Sequence, residues 1–138
     1  MATMRYVPPE QLLAEWERVR AGLLAVQEHS ADDWLPEDIY MSLKTGNASL
    51  HVAEDGSDYL GFLILQLLPT FHSKKLHVWC AYANDGKPLL RVFLRTLRDL
   101  AANAGATKIT FSSPRDEWLS VGKRGGFTPT QCMFELTI

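Results

Sequence analysis

The 138-residue sequence has few cysteines and little excess charge, and it lacks long apolar runs. Its two cysteines, Cys80 and Cys132, have neither metal-ligand nor redox spacing, which favours a reduced, cytoplasmic protein. The longest apolar run, YLGFLILQLLP, suits a buried strand and is too short for a membrane span. A net charge of −2 gives no general attraction for nucleic acid or anionic lipid. We therefore expect no nucleic-acid partner and no membrane partner.

The first third of the sequence predicts two helices. No internal repeat, low-complexity tract or linker interrupts the chain, so a single domain over residues 1–138 is expected. Apolar residues recur at helical spacing over residues 8–28, and Pro8 and Pro9 suit the first turn. DDWLPEDIYMSLKTG predicts a second, shorter helix that begins at Pro36 and ends at Gly46.

The middle of the sequence changes to a period of two, which is typical of strands. ASLHVAED and YLGFLILQL flank the turn EDGSD and predict a hairpin, and a further strand is possible around residues 4–7. KLHVWCAYA predicts a central strand because both of its faces are mostly apolar. Strict alternation divides it into Leu76, Val78, Cys80 and Tyr82 on one face and His77, Trp79, Ala81 and Ala83 on the other.

The last third predicts two helices and two strands. LLRVFLRTLRDLAANAGA is an amphipathic helix that Gly105 can cap, and ATKITFSS after it is a strand. PRDEWLSVGKRGG predicts a short helix, and TQCMFELTI a last strand with alternating Cys132, Phe134, Leu136 and Ile138. The crossover over residues 75–113 requires that its two strands be parallel and that the connection between them be right-handed. The fold class is α/β, with a mixed, partly antiparallel central sheet flanked by about four helices.

This order of elements resembles that of the GNAT acyl-CoA N-acyltransferases. LLRVFLRTLRDLAANAGATKITF resembles their central helix and following strand, and KRGGF at residues 123–127 resembles a late turn of the family. WLPEDIYMSLKTGNASLHVAEDG, GFLILQ and KLHVWCAY are similar to small GNAT-like proteins of tailed phages and prophages. The resemblance implies a GNAT-like fold, acetyl-CoA or coenzyme A as ligand, and no metal.

The resemblance also implies where coenzyme A would lie. Members of the family bind the pyrophosphate of coenzyme A with a loop of the form R/Q-x-x-G-x-G/A. This pattern aligns with DGKPLL at residues 85–90. The residues expected at the cofactor are Ala81, Ala83, Asn84, Gly86 and Lys87. Asp85, Pro88 and Leu90 depart from the family pattern, because they add a negative charge, remove an N–H group and add a side chain. Alternatively, the loop is an ordinary helix start with Asn84 or Asp85 as N-cap.

The catalytic residues are less clearly marked. Many family members use a tyrosine as general acid at the position that Gly122 occupies here. The remaining proton carriers near the expected cleft include His77 and Tyr82, which are our catalytic candidates, although residues of these types in a strand more often serve in packing. The four histidines show no metal spacing.

Two functions follow from these features. The degenerate loop favours a weakly active or non-catalytic phage protein, associated with the virion or its assembly, that binds phage structural proteins. It would be a monomer or a homodimer in the host cytoplasm or the virion. Its working surface would include Leu67, Leu68, Pro69 and Phe71. The alternative is an active N-acetyltransferase that moves an acetyl group from acetyl-CoA to an amine acceptor.

Overall fold

A five-stranded mixed sheet forms the centre of the computed structural model, which describes residues 1–84, 89–113 and 122–138. The elements are β1 (Thr3–Val7), a 3-10 helix (Pro9–Gln11), α1 (Leu12–Gln27), α2 (Pro36–Thr45), β2 (Ser49–Asp55), β3 (Asp58–Pro69), β4 (Lys74–Ala83), α3 (Leu90–Ala104) and β5 (Lys108–Phe111). The strands lie in the order β1 to β5. Neighbours are antiparallel except β4 and β5, which are parallel and joined through α3. The predicted fold class and the parallel pairing of the two strands of the crossover are confirmed.

Local chemistry fixes several of the boundaries. Pro36 opens α2, and the Leu35 N–H donates a hydrogen bond of 2.8 Å to the Asp38 carboxylate. Gly46 and Gly105 end α2 and α3 in the left-handed conformation, with φ of 82° and 73°. The hairpin turn lies between the paired residues Asp55 and Asp58, as predicted. These ends are confirmed because each depends on residues close in sequence.

The sheet separates two apolar layers. One layer joins the sheet to α1 and α2, and its fully buried members include Phe62, Ile64 and Val52. The other joins the sheet to α3 through Leu63, Leu65 and neighbouring side chains. Consecutive β3 residues therefore enter opposite layers, as the period of two requires. This arrangement makes β3 an internal strand that is buried on both faces.

The strand predicted from TQCMFELTI is wrong for this structure. Residues 128–138 are exposed and have no strand assignment, and no backbone hydrogen bond is recorded within this segment. A strand requires a neighbour for its backbone N–H and C=O groups, and apolar alternation alone does not supply one. Of the short helix predicted before it, residues 114–121 lie outside the described residues, and Gly122 to Arg124 are helical.

A cleft of about 720 Å³ lies between α3 and the β1–β2 side of the sheet. Its wall contains Tyr6, Ser49 and His51. The Ser49 Oγ and His51 Nε2 atoms are 3.0 Å apart, and the Tyr6 and His51 ring centroids are 5.5 Å apart. The His51 side chain is 6% exposed, and this burial lowers its pKa from 6.5 to about 4. His51 is therefore neutral in the folded protein at neutral pH.

Acidification is expected to destabilise the protein through His51. The unfolded chain takes up a proton at His51 near pH 6.5, whereas the folded chain does so only near pH 4. Stability from this residue is complete above pH 6.5 and is lost as the pH falls to 4, by about 3 kcal/mol in total. Urea denaturation of the wild type and of His51→Phe at pH 7.5 and pH 4.5 would measure it. Equal losses of unfolding free energy in the two proteins would contradict the assignment.

Candidate active site

The parallel strands β4 and β5 part at one end. Their pairing runs from Lys75 opposite Lys108 to Val78 opposite Phe111, where β5 ends, while β4 continues to Ala83. In the part of the chain that the structure describes, residues 79–83 of β4 therefore have no strand partner on the β5 side. A cleft at the carboxyl ends of parallel strands is a common place for a ligand, because backbone N–H and C=O groups there are available.

A β-bulge at Trp79 changes the faces of β4 at the same point. Against β3, Val78 pairs with Leu65 and Cys80 pairs with Ile64, so that Trp79 has no counterpart. Cys80 and Tyr82 consequently pack in the α1/α2 layer with Trp79, while Leu76 and Val78 pack in the α3 layer. The predicted strict alternation of faces is wrong beyond Val78. The bulge brings Tyr82 to the side of the sheet that carries Trp79.

His77 lies in the last paired part of β4. Its Nδ1 is 2.9 Å from the Oγ1 of Thr110, the residue opposite it in β5. Burial lowers the pKa of His77, the positive charge of Lys75 lowers it further, and Asp32 partly opposes both. The ring is therefore neutral at neutral pH, and a neutral imidazole can accept a proton. Its position next to the point where β5 ends keeps it as a candidate base.

Tyr82 is held by ring packing. Its ring stacks on that of Phe62, with centroids 5.5 Å apart. A Cβ atom added to Gly22 of α1 would lie 2.6 Å from the Phe62 ring and 2.9 Å from the Tyr82 ring, so a glycine there admits both rings. This contact gives Tyr82 a packing role, and its catalytic role stays a prediction.

The start of α3 directly follows the expected cofactor loop in the sequence. Leu89 is the N-cap, the first helical residue is Leu90, and among the described residues no side chain caps this end of α3. The prediction of Asn84 as N-cap is wrong, because Asn84 directly follows β4 and five residues separate it from the helix. An N-terminus without a side-chain cap presents N–H groups to an anion. Of the other loop predictions, Asp85, Gly86, Lys87 and Pro88 lie outside the described residues.

The remaining predicted cofactor residues lie on β4. Ala81 and Ala83 both pack toward the α3 side of the sheet and belong to the stretch without a β5 partner. Gly122 is buried, and a Cβ atom there would lie 3.4 Å from the Phe111 ring. Gly122 therefore lies near the end of β5, and it has no side chain at the position where the resemblance implies a catalytic tyrosine.

Sequence reasoning missed two residues of the site, Thr110 and Asp32. Thr110 contacts His77 through a strand register that spans 33 residues of sequence. Asp32, between α1 and α2, has an electrostatic effect on both His77 and Cys80. The acidic pair DD at residues 32–33 was the one signal available. Neither contact follows from local sequence spacing.

The described residues contain neither a cluster of metal ligands nor a helix that could span a membrane. No group of three or more His, Cys, Asp or Glu side chains there could hold a metal ion. In the same ranges, none of the helices has the length and apolar character needed to cross a membrane. Burial raises the pKa of the Cys80 thiol to about 12, so this cysteine is not a reactive nucleophile.

Comparison with known proteins gives matches in structure and none in sequence. No protein-family model matches the chain, and no curated protein matches it. The structure is similar to a ribosomal-protein-alanine N-acetyltransferase from Brucella melitensis biovar Abortus 2308, with 14% identity, a TM-score of 0.71, and coverage of 100% of this chain and 99% of that one.

Two further structures agree with it. A predicted acetyltransferase with acetyl-CoA from Clostridium acetobutylicum has 16% identity and a TM-score of 0.72, and the match covers 99% of this chain and 96% of that one. An aminoglycoside acetyltransferase from an uncultured soil metagenomic sample, in complex with sisomicin, has 12% identity, a TM-score of 0.71 and coverage of 99% and 96%. At these identities the similarity shows the fold, which is that of the GNAT acetyltransferases.

Proposed function

We propose that the protein is an acetyl-CoA-dependent N-acetyltransferase that acts on a primary amine. The observation that carries this proposal is the parting of β4 from β5 after Val78, which leaves residues 79–83 of β4 without a β5 neighbour among the described residues. An extended ligand with amide groups, such as the pantetheine arm of coenzyme A, can hydrogen-bond to such a strand. The fold of the similar structures supports the same ligand.

The proposal assigns a place to each end of acetyl-CoA. The pyrophosphate would lie at the start of α3, where no described side chain caps the helix and where Arg91 in its first turn is exposed. The resemblance adds Asn84, Gly86 and Lys87 to this end. The thioester would lie against β4 near Ala81 and Ala83, whose small side chains leave the backbone accessible. Acetyl-CoA would supply the acetyl group as an activated thioester.

The residues of this chain would then perform two tasks. Backbone N–H groups of β4 near Ala81 and Ala83 would donate hydrogen bonds to the thioester oxygen, where negative charge develops during attack. His77, neutral at neutral pH, would take the proton that the ammonium form of the acceptor must lose. Thr110 would orient the ring through its contact with Nδ1, and Asp32 would favour the protonated form that results.

Calorimetric titration with acetyl-CoA tests the binding half of the proposal. We expect binding by the wild type and a dissociation constant about 10- to 100-fold higher for Lys87→Glu, because a charged hydrogen bond to the pyrophosphate is lost. Arg98→Glu makes the same change of charge on an exposed side chain of α3, away from the loop. We expect this variant to bind acetyl-CoA as tightly as the wild type. No heat with millimolar acetyl-CoA, or equal weakening in both variants, would contradict the proposed site.

Release of the coenzyme A thiol in the presence of a panel of amines tests the chemical half. A non-catalytic, virion-associated role is the second candidate, favoured by Gly122 at the family's tyrosine position and by Asp85 and Pro88 in the loop. Binding without thiol release for any amine would support that candidate. Turnover with even one amine would exclude it as the whole function. The predicted phage partners would then lose their main support.

A further inference from the structure

The cleft between α3 and the β1–β2 side of the sheet is separate from the proposed acetyl-CoA site. Its volume of about 720 Å³ suits a small molecule, since ligand sites in proteins have about 300–1,000 Å³. Of the described residues that we assign to acetyl-CoA or to proton transfer, none lines it. Its α3 wall extends to Ala104, the last residue of the helix, whereas the pyrophosphate is assigned to the helix start. The proposed acetyltransferase reaction therefore leaves this cleft without a role.

His51 gives the wall of this cleft a buried hydrogen-bonding group. Among the described residues, it is the only polar residue of the buried core. Its Nε2 lies 3.0 Å from the Ser49 hydroxyl, and no hydrogen bond to another described residue is recorded for its Nδ1. A buried polar atom without a partner costs free energy, so such atoms usually have one. The Nδ1 of the neutral ring is therefore available to a ligand, as donor or acceptor according to the tautomer.

The same wall suits an aromatic ring. The rings of Tyr6 and His51 lie side by side, with centroids 5.5 Å apart and planes tilted by 44°. Tyr6 is 53% exposed, so part of its ring is open to a ligand. Met4, Leu65 and Leu76 add apolar surface to the cleft. Because aromatic rings gain from edge or offset contacts beyond their buried area, a planar ligand ring is favoured here over an aliphatic chain.

The α3 side of the cleft carries one charge of each sign. Arg95 and Asp99 are exposed, line the cleft and are one helical turn apart. None of the ion pairs found among the described residues involves either side chain. The order of arginine before aspartate is also the weaker one for a direct pair along a helix. Because a guanidinium binds a carboxylate and an aspartate accepts from an ammonium group, the two side chains complement the head group of a free amino acid.

We propose that the cleft binds a free aromatic amino acid with a ring hydroxyl, of which tyrosine is the common form. Its carboxylate would accept hydrogen bonds from Arg95, and its ammonium group would donate to Asp99. The ring would pack against Tyr6 and the apolar surface, where its hydroxyl would meet the Nδ1 of His51. This binding does not depend on the proposed acetyltransferase activity, because the two sites share no described residue.

Calorimetric titration of the wild type with tyrosine tests the proposal directly. We expect saturable binding at millimolar tyrosine or below. Three analogues each lack one group: phenylalanine the hydroxyl, tyrosinamide the carboxylate, and hydroxyphenylpropionate the ammonium group. Each should bind about 10-fold or more weakly, because a site that hydrogen-bonds a group rejects the analogue that lacks it. No heat with millimolar tyrosine, or an analogue that binds as tightly as tyrosine, would overturn the proposal.

Variants locate the bound tyrosine. Arg95→Gln and Asp99→Asn should each raise its dissociation constant about 10- to 100-fold, because a charged hydrogen bond is lost. Arg98→Gln, at an exposed α3 position outside the cleft lining, should bind tyrosine as the wild type does. His77→Gln should also bind it unchanged, unless tyrosine enters the proposed active site as an acceptor amine. An unchanged dissociation constant in Arg95→Gln and Asp99→Asn, whether or not His77→Gln weakens binding, would overturn the proposal without contradicting the acetyltransferase function.

Discussion

Replacement of Gly61 by alanine is expected to reduce the free energy of unfolding by about 4 kcal/mol or more, the range reached by severe core clashes. A Cβ atom at this position would lie 2.0 Å from the Tyr82 carbonyl oxygen, 3.0 Å from its carbonyl carbon and 3.1 Å from the Cα of Ala83. These are backbone atoms of the neighbouring strand, so no side-chain rotation relieves the contact. The φ of 155° adds strain for any residue with a Cβ atom.

Urea and thermal denaturation of the purified variant would measure this loss, with a melting temperature lower by roughly 10–15 °C. Gly56→Ala is the matched control. Its φ of 61° is also left-handed, but no heavy atom lies within 4 Å of the added Cβ, so a loss of about 1–2 kcal/mol is expected. Equal losses in the two variants would mean that the positive φ, and not the close approach of the β4 backbone, is the reason why Gly61 must be a glycine. Failure of Gly61→Ala alone to fold is the same effect at a larger magnitude.

Gly61 also connects stability to the site. It pairs with Ala83 and allows β3 to approach Tyr82 closely at the end of β4 that leads into the cofactor loop. At the other end of residues 79–83, Trp79 forms the bulge against β3. The two features together fix the path of residues 79–83 relative to β5. The close approach of Gly61 to the backbone of Tyr82 and Ala83 therefore holds this end of β4 in place beside the cleft.

Local sequence signals were sufficient for most of the fold. The helical period, Pro36 and the two capping glycines predicted where α2 begins and where α2 and α3 end, because capping depends on residues within one turn. The hairpin between β2 and β3 was predicted from the turn EDGSD, and the crossover from the alternation of strand and helix. Each of these features is decided by residues that are close in the chain.

Features that depend on a partner strand were not predictable. The bulge at Trp79 exists only in relation to β3, so strict alternation gave the wrong face for Cys80 and Tyr82. The contact of His77 with Thr110 depends on the parallel register of two strands that α3 separates. Residues 128–138 have the period of a strand, and whether they form one depends on a neighbour that their own sequence does not specify. Sequence therefore predicted candidates, and pairing decided their positions.

Replacement of His77 by glutamine is expected to lower kcat by about 100-fold or more, the effect of removing a general base, with an acceptor amine identified from the panel. The acetyl-CoA dissociation constant should change little, because the ring is assigned to the acceptor's proton and not to the cofactor. Burial and Lys75 hold the pKa of His77 below 6.5. The wild-type rate should therefore decline with acid only below pH 6.5, and the variant should lack this limb.

Two companion variants separate proton transfer from structure. His72→Gln makes the same substitution at an exposed position between β3 and β4 and should keep full activity. Thr110→Val removes the hydroxyl 2.9 Å from Nδ1 but leaves the base in place, so kcat should fall by only about tenfold and the acidic limb should persist. A His77→Gln enzyme with an unchanged rate and pH profile would transfer the role of base to water or another group. That result would contradict only the role of His77. The proposed cofactor cleft would be unaffected, because it is inferred from the parting of β4 and β5.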